Sequence, residues 1–459
     1  MYSNQIEPVL KSAGIKIGER LRYEREGWSI EGLLMPRPDV GDPDCIVLKL
    51  SSGYNIGLCM EGAKIEKIKG EAVSIAGRGG SKESVSAPAQ SSPSPHRPHI
   101  FLLSTGGTIT SKVDYVTGAV HPVMDAEQLL STYPRLAPLG PFKSVSLMRI
   151  LSEDMHPLRW TTLARGVADA LRDGSEGIVI THGTDTMGYS AAALSFALQN
   201  LPVPVLLTGA QRSPDRGSSD AGDNLFCAAA AARANFAGVG LCMPTEPAGG
   251  RCNLHLGTRV RKCHTSARWA FRSIGAQPFG TVDMRTGDVR LEPNSPVAAR
   301  DHSRSLHMSE KFSENVHLAW VYPGLTPKTV SSWADYDGVV LAATGLGNAP
   351  VSADEPNSPR SVLPAIRELV ESGVIVAIAP QTLEGRINMD VYSAGRLLHE
   401  AGVIGQGADW LPETAYAKLC WALGQGHDAA LVKKLMMTPI AGDITPRSGA
   451  PDGLGQQTI

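Results

Sequence analysis

Residues 100–110 read IFLLSTGGTIT, and the change of character half-way along this stretch decides the fold. Ile100-Phe101-Leu102-Leu103 is an uninterrupted apolar run, too short for a helix and typical of a strand buried on both faces. Ser104-Thr105-Gly106-Gly107-Thr108 then breaks the run with two glycines and two threonine hydroxyls. Glycines directly after a buried strand permit backbone geometry closed to other residues and let a bound molecule approach the main chain closely. The carboxyl edge of a parallel sheet is where α/β proteins place chemistry, so a hydroxyl held there is a candidate nucleophile. An ordinary β-to-α turn is the alternative reading of this stretch taken alone.

The same pattern recurs downstream. Glu176–Ile180, Val203–Leu207 and Val239–Met243 are further buried strands, and Tyr189–Asn200 and Asp220–Phe236 between them are Ala-rich with helical periodicity. Strands separated by helical stretches of this length argue for a parallel sheet with right-handed crossovers. A polar region near 290–315 leads to a second, smaller α/β set. Its strands are Val316–Val321, Gly338–Ala342 and Val374–Ile378, and its helices Arg360–Glu371, Ser393–Ala401 and Glu413–Leu423. The expected fold class is α/β, a two-domain parallel-sheet protein with its domains at 99–300 and 316–440 and a tail at 441–459.

Upstream the character differs. Glu19–Glu24, Ser29–Met35, Cys45–Leu50, Asn55–Cys59 and Lys64–Lys69 are five short segments separated by turn signals. They predict a small all-β barrel over 1–73, with no catalytic constellation in it and a docking or structural role. Residues 74–98 (SIAGRGGSKESVSAPAQSSPSPHRP) lack large apolar side chains and cannot offset their ordering entropy, which predicts a flexible linker.

The 459 residues, 42% of them hydrophobic, suffice for two or three domains and a sizeable core. A net charge of −2 gives no global field for nucleic acid or an anionic membrane, so any RNA contact must be local or made through a partner. The seven cysteines form no CxxC pair and make an odd total, which argues against a zinc site or disulfide framework and for a reducing cytoplasm. Neither a secretory signal nor an apolar run of about 18 residues is present, so neither secretion by that route nor a membrane span is expected.

The second buried strand runs into Thr181-His182-Gly183-Thr184-Asp185-Thr186, again glycine and threonine, now with a carboxylate. A hydroxyl becomes a nucleophile only when a base removes its proton. Lys262, in Val260-Arg261-Lys262-Cys263-His264-Thr265, is a candidate base if desolvation lowers its pKa, with Asp185 holding it. A structural Asp185–Lys262 ion pair is the competing reading. His182 and His264 bring no further ligands with metal-binding spacing, so packing or hydrogen bonding is expected and no metal. Gly345-Leu346-Gly347 lacks the third glycine and the downstream acid of a dinucleotide fingerprint. The stretch Arg251–Lys262, with three arginines and Lys262, reads as an RNA contact or as a solvated face.

Taken together, TGGTI at 105–109, THGTDT at 181–186, TGAQR at 208–212 and VRKCHT at 260–265 closely resemble the L-asparaginase/glutaminase family of amidohydrolases. TGLGN at 344–348 and DWLPETAYAKLCWAL at 409–423 fit the same family, and the resemblance covers roughly residues 99–425. It implies an active centre of Thr108, Thr184, Asp185 and Lys262. It also implies a mobile lid carrying Tyr115, a substrate α-carboxylate site at Ser152, and Asn348 reaching a substrate across a subunit interface. Backbone N–H groups near Gly107 or Gly183 would stabilise the oxyanion. Glu153 stands where the family commonly has Gln; a carboxylate there suits a substrate ammonium and leaves asparagine against glutamine open. Either threonine can be the one acylated, with Thr108 favoured by its glycine turn and adjacent lid.

A narrower resemblance is carried by IKIGERLRY at 15–23, GAQRSPDRGSSDA at 209–221 and AGDIT at 441–445. These segments are similar to the D-subunit branch of archaeal-type glutamyl-tRNA(Gln) amidotransferases. The resemblance implies a cytoplasmic glutaminase subunit that needs no cofactor of its own and releases ammonia from L-glutamine. A partner chain, the amidotransferase E subunit, would use ATP and Mg2+ to amidate Glu-tRNA(Gln), in a heterodimer that pairs into a dimer of heterodimers. The alternatives are a free-standing cytoplasmic L-asparaginase, against which the leading barrel argues, and a non-catalytic scaffold.

Overall fold

The computed structural model describes residues 2–3, 5–25, 28–36, 44–49, 55–68, 99–106, 111–113, 120–122, 133–212, 219–246, 250–352, 355 and 358–447. The N-terminal unit holds strands β1 (Arg20–Arg25), β2 (Trp28–Met35), β3 (Cys45–Lys49), β4 (Asn55–Cys59) and β5 (Lys64–Lys67). They form one antiparallel sheet in the order β4-β3-β2-β1-β5. Laid flat, that order would set β4 and β5 about 19 Å apart, four strand spacings. The five residue steps from Cys59 to Lys64 reach about 18 Å only when fully extended. The connection is instead a compact turn in which the Ala63 N–H donates to Met60 O at 3.1 Å, so the sheet must curl towards a barrel. The helix Ile6–Ser12 adds Ile6 and Leu10, one turn apart, to a core of Leu21, Tyr23, Leu34, Ile46, Leu48 and Leu58. The helix was not legible in the sequence; the five strands were. The segment 74–98 lies outside the described residues.

The central sheet contains β6 (His99–Gly106), which is the opening stretch. Downstream of it, β7 (Ser111–Val113) and β8 (Val120–Pro122) form a separate antiparallel pair, and β9 (Phe142–Ile150) and β10 (Ser175–Thr181) flank β6. Next come β11 (Leu198–Gln199), β12 (Pro204–Thr208), β13 (Gly238–Pro244), β14 (Arg251–Leu256), β15 (Val260–Lys262), β16 (Phe271–Ser273), β17 (Gly280–Asp283) and β18 (Val289–Leu291). Five strands run parallel, in the order β9-β6-β10-β12-β13. Beyond β13 the sheet turns antiparallel through β14, β17 and β18, an extension the expected parallel sheet did not include. Six residues separate Pro244 from Arg251, too few for a crossover helix, and the Thr245 N–H donates to Arg251 O at 3.1 Å to start the hairpin.

The second lobe is a three-stranded parallel sheet of β20 (Val316–Trp320), β21 (Gly338–Ala343) and β22 (Ile375–Pro380), with β19 (His307–Met308) pairing back to β11. The helix Met187–Ala197 is apolar on every side because it lies between the first sheet and the helix Pro412–Gly424. Phe196 stacks on Trp421 at 5.9 Å between ring centres, and Tyr416 meets both Trp160 and Tyr189 edge-on. One core therefore runs through both lobes.

The segment 440–445 then straps the lobes together. Thr258 Oγ1 donates to Ala441 O and Arg259 Nε to Gly442 O on the first-lobe side. On the other side Lys418 and Asp443 form an ion pair with neither side chain exposed, completed by Lys418 donating to Thr438 O at 2.7 Å. Burial pushes the Lys418 ammonium below the usual lysine range, and Asp443 opposes that shift. Removing one partner of such a pair strands a buried charge, which costs about 3–5 kcal/mol, whereas replacing both with apolar groups is far milder. Asp443→Ala should therefore lower the melting temperature clearly more than the double change Lys418→Met with Asp443→Leu. Thermal unfolding of the two variants side by side checks this, and equal losses would show that the ion pair is not the source.

Candidate functional site

Four strand ends converge on the site, and small residues let them do so. Gly106 ends β6 at φ +96°, and a Cβ there would stand 2.5 Å from Ile150 O. The close approach at this glycine is made by the neighbouring strand β9, across an irregularity in the pairing after Ser104. Just past Ile150 the chain turns at Ser152, which is buried against Gly183; a Cβ on Gly183 would lie 2.6 Å from Ser152 Cβ. Thr186 Oγ1 donates to Ser152 O at 2.6 Å and fixes that turn to the start of the helix Met187–Ala197. At the end of β12, Gly209 faces His182 O at 2.5 Å from an ideal Cβ, and Thr184 Cγ2 at 3.0 Å. Threonine hydroxyls seal the edge: Thr105 donates to Thr181 O at 3.0 Å and Thr208 to Cys242 O at 2.9 Å.

Within this cradle Lys262 Nζ donates to Thr184 Oγ1 at 2.9 Å and to Asp185 Oδ1 at 2.8 Å. Thr184 is 3% exposed, whereas the Asp185 side chain is 65% exposed, so the cluster runs from the interior to solvent. Lys262 sits on β15, which among the described residues pairs only with β16 and lies outside the central sheet. Its position is held from the other lobe. The buried Arg259 guanidinium donates to Asp409 O at 2.7 Å, to Asp409 Oδ1 at 2.9 Å and to Gly442 O. Arg261 pairs with Glu413 at 3.2 Å. Burial works to raise the Asp409 carboxyl, yet hydrogen bonds from Arg259 and Thr445 hold it below the usual carboxylate range.

These contacts overturn both readings of the basic stretch Arg251–Lys262. Arg259 is 1% exposed and Arg261 and Lys262 have their own carboxylate partners, so three of the four cations are neither a solvated face nor an RNA contact. His264 accepts from the Ser266 and Ala267 N–H groups at its Nδ1, capping a turn. His182 is wholly buried, with Nδ1 2.7 Å from Gly183 O and Nε2 2.9 Å from Ser190 Oγ. Burial pulls its pKa down to about 4. No group of His, Cys, Asp and Glu among the described residues is arranged to hold a metal ion.

Gly107 and Thr108 lie outside the described residues, as does Tyr115, between β7 and β8. Glu153 is exposed beside Ser152 in a short 3-10 turn. Asn348 closes a loop after β21, donating its N–H to Thr344 O at 2.9 Å, and no described contact joins it to the Lys262 cluster. Sequence reasoning missed Ser190 and Trp160, whose indole N–H donates to Ser190 Oγ at 3.1 Å. It also missed the clamps at Arg259 and Arg261. The helix Pro157–Arg172 that supplies Trp160 did carry a signal: Pro at its first position and apolar residues at 160, 163, 164 and 167.

Three family models match the chain: "Asparaginase, N-terminal" over 99–296, "Glutaminase/Asparaginase C-terminal domain" over 315–436, and "GatD N-terminal domain" over 15–68. The chain is 41% identical to the D subunit of glutamyl-tRNA(Gln) amidotransferase from Pyrococcus furiosus, over 96% of this chain and 98% of that protein. It is 40% identical to the protein of the same name from Methanothermobacter thermautotrophicus, over 97% and 98%. Among solved structures it is similar to the thermostable L-asparaginase from Thermococcus kodakarensis, with TM-score 0.67 and 31% identity over 76% of this chain and all of that one. L-asparaginase I from Vibrio cholerae is comparable, with TM-score 0.64 and 30% identity over 76% of this chain and all of that one.

The buried histidines set an acid limit on stability. His182 and His255 have folded-state pKa values lowered by burial to about 4 and about 3, against about 6.5 when unfolded. Between those values the unfolded chain binds protons that the folded chain does not, so stability falls as pH drops below about 6.5. His182 alone would cost roughly 3 kcal/mol by pH 4. The melting temperature should decline across this window, and His255→Gln should flatten the decline; an unchanged slope would remove His255 from the account.

Proposed function

The chain belongs to the family of glutamyl-tRNA(Gln) amidotransferase D subunits, within the asparaginase/glutaminase fold, and on that premise we propose its chemistry, substrate and partner. It is the glutaminase subunit of a tRNA-dependent amidotransferase: it hydrolyses L-glutamine to glutamate and ammonia for use by a partner chain. The partner is the amidotransferase E subunit, which activates Glu-tRNA(Gln) with ATP and Mg2+ and captures the ammonia; this chain uses no cofactor of its own. The assembly is a heterodimer paired into a dimer of heterodimers, in the cytoplasm, with Asn348 offered to a neighbouring subunit's site. No helix among the described residues is long and apolar enough to cross a membrane.

The observation that carries this reading is the bridge from Lys262 Nζ to Thr184 Oγ1 and Asp185, at 2.9 and 2.8 Å, in a chain that begins with a D-subunit module. The two solved asparaginases leave about a quarter of this chain unmatched, whereas the D subunits span nearly all of it. That difference favours the amidotransferase role over a free-standing asparaginase.

In the mechanism, Thr108 attacks the side-chain amide carbon of glutamine and the tetrahedral oxyanion is met by backbone N–H groups. Ammonia leaves, and water attacks the acyl-threonine to release glutamate. Thr184, Lys262 and Asp185 form the proton relay. Lys262 acts as the base in its neutral form, whose lone pair faces the Thr184 hydroxyl oxygen 2.9 Å away and takes its proton. Asp185 orients the amine. Ser152 binds the substrate α-carboxylate, Glu153 its ammonium, and Tyr115 closes the lid over both.

Thr184→Val, Lys262→Met and Thr108→Ala should each reduce glutamine-dependent conversion of Glu-tRNA(Gln) by roughly 10²–10⁴-fold, the range for losing acid–base or nucleophilic assistance. Ammonia release from glutamine and from asparagine, measured with and without the E subunit and Glu-tRNA(Gln), tests the role. Vigorous asparaginase activity without the partner would overturn it. Mass spectrometry of the trapped acyl-enzyme should find the adduct on the peptide holding Thr108; an adduct on Thr184 would exchange the roles.

A further inference from the structure

His182 is a buried titratable side chain that the mechanism does not use. Its surroundings fix its proton completely. The Trp160 indole N–H can only donate, and it donates to Ser190 Oγ. Gly183 O can only accept, and it lies 2.7 Å from His182 Nδ1. The neutral ring therefore carries its proton on Nδ1 and accepts the Ser190 hydroxyl proton at Nε2. Every member of the series Trp160–Ser190–His182–Gly183 is satisfied, and all four are buried.

The last member matters most. Gly183 O belongs to the same peptide unit as the Thr184 N–H. No peptide bond is cis, and in a trans peptide the carbonyl and the N–H point in opposite directions. A carbonyl turned inward onto His182 therefore directs the Thr184 N–H away from the interior, and no described group accepts from it. The residue carrying that N–H also carries the hydroxyl held by Lys262. Gly183 carries no side chain of its own to hold this peptide against rotation, because a Cβ there would strike Ser152.

We propose that His182 is a positioning residue whose Nδ1–H locks the Gly183–Thr184 peptide in the orientation that presents the Thr184 N–H to the developing oxyanion. The inference rests on the amide-hydrolysis reading above and names the group that sets one oxyanion donor.

The test compares His182→Asn, His182→Gln and His182→Leu in the full chain with its partner, following glutamine hydrolysis. Asn places an N–H donor close to the position of Nδ1, whereas Gln places one near Nε2 and Leu supplies none. His182→Asn should keep kcat within about threefold of the native enzyme. Gln and Leu should lose roughly 10²-fold, the scale of one oxyanion donor, with KM little changed. Equal kcat for Asn and Gln, or losses confined to KM, would overturn the proposal. Native protein with no amide hydrolysis at all would instead sink the functional reading on which it rests. Because a variant can fail to fold, nitrogen NMR of the native protein labelled at histidine gives a second check. His182 should be the neutral Nδ1–H tautomer at pH 7, and the Nε2–H tautomer would refute the assignment.

Discussion

A guanidinium with 1% exposure cannot stay buried unless its donors are satisfied, and the satisfaction of Arg259 organises this molecule. Its partners come from two separate segments beyond its own lobe: the carbonyl and carboxylate of Asp409, just before the helix Pro412–Gly424, and Gly442 O in the tail strap. Asp409 is itself completed by Thr445, whose N–H donates to Oδ1 at 2.9 Å. Deleting any one of these leaves a charge or a donor in a medium that cannot replace it. The arrangement is costly to assemble and costly to disturb, which suits a contact that fixes the relation of two lobes.

That relation matters because of what lies three residues further on. Lys262 is carried by a two-stranded appendage and not by the central sheet, so the sheet alone does not place it. Thr184 and Asp185, by contrast, are placed by β10 and by the helix that follows. The site is therefore assembled from a rigid half and a clamped half. Arg259 and Arg261 reach across to Asp409 and Glu413, and Thr258 to Ala441; together they bring the amine to the hydroxyl. The motif at 441–445, which the sequence marked only as a feature of one branch, works here as a structural tie.

Much of this was legible beforehand because it is local. Buried runs of four or five apolar residues announce strands wherever they occur, and Thr184 and Asp185 announce themselves through the glycine turn that ends such a run. What escaped is what depends on distant partners. Arg259 and Arg261 look like any exposed arginines until Asp409 and Glu413 are brought beside them. Ser152 could be assigned only through resemblance, because its seat against Gly183 follows from how the end of β9 fits the missing Cβ of Gly106. The antiparallel strands β14, β17 and β18 are short and mixed in polarity, with none of the continuous apolar character of β6 or β10. The helix Ile6–Ser12 is too brief to show a period.

The hydrogen-bond series behind Gly183 also has a direction. It starts at an indole that can only give a proton and ends at a carbonyl that can only receive one, so no internal rearrangement reverses it without breaking a buried bond. The inner wall of the site is consequently insulated against proton leakage into the core. On the outer side the Lys262 amine bridges Thr184 to Asp185, whose carboxylate stands in contact with bulk water.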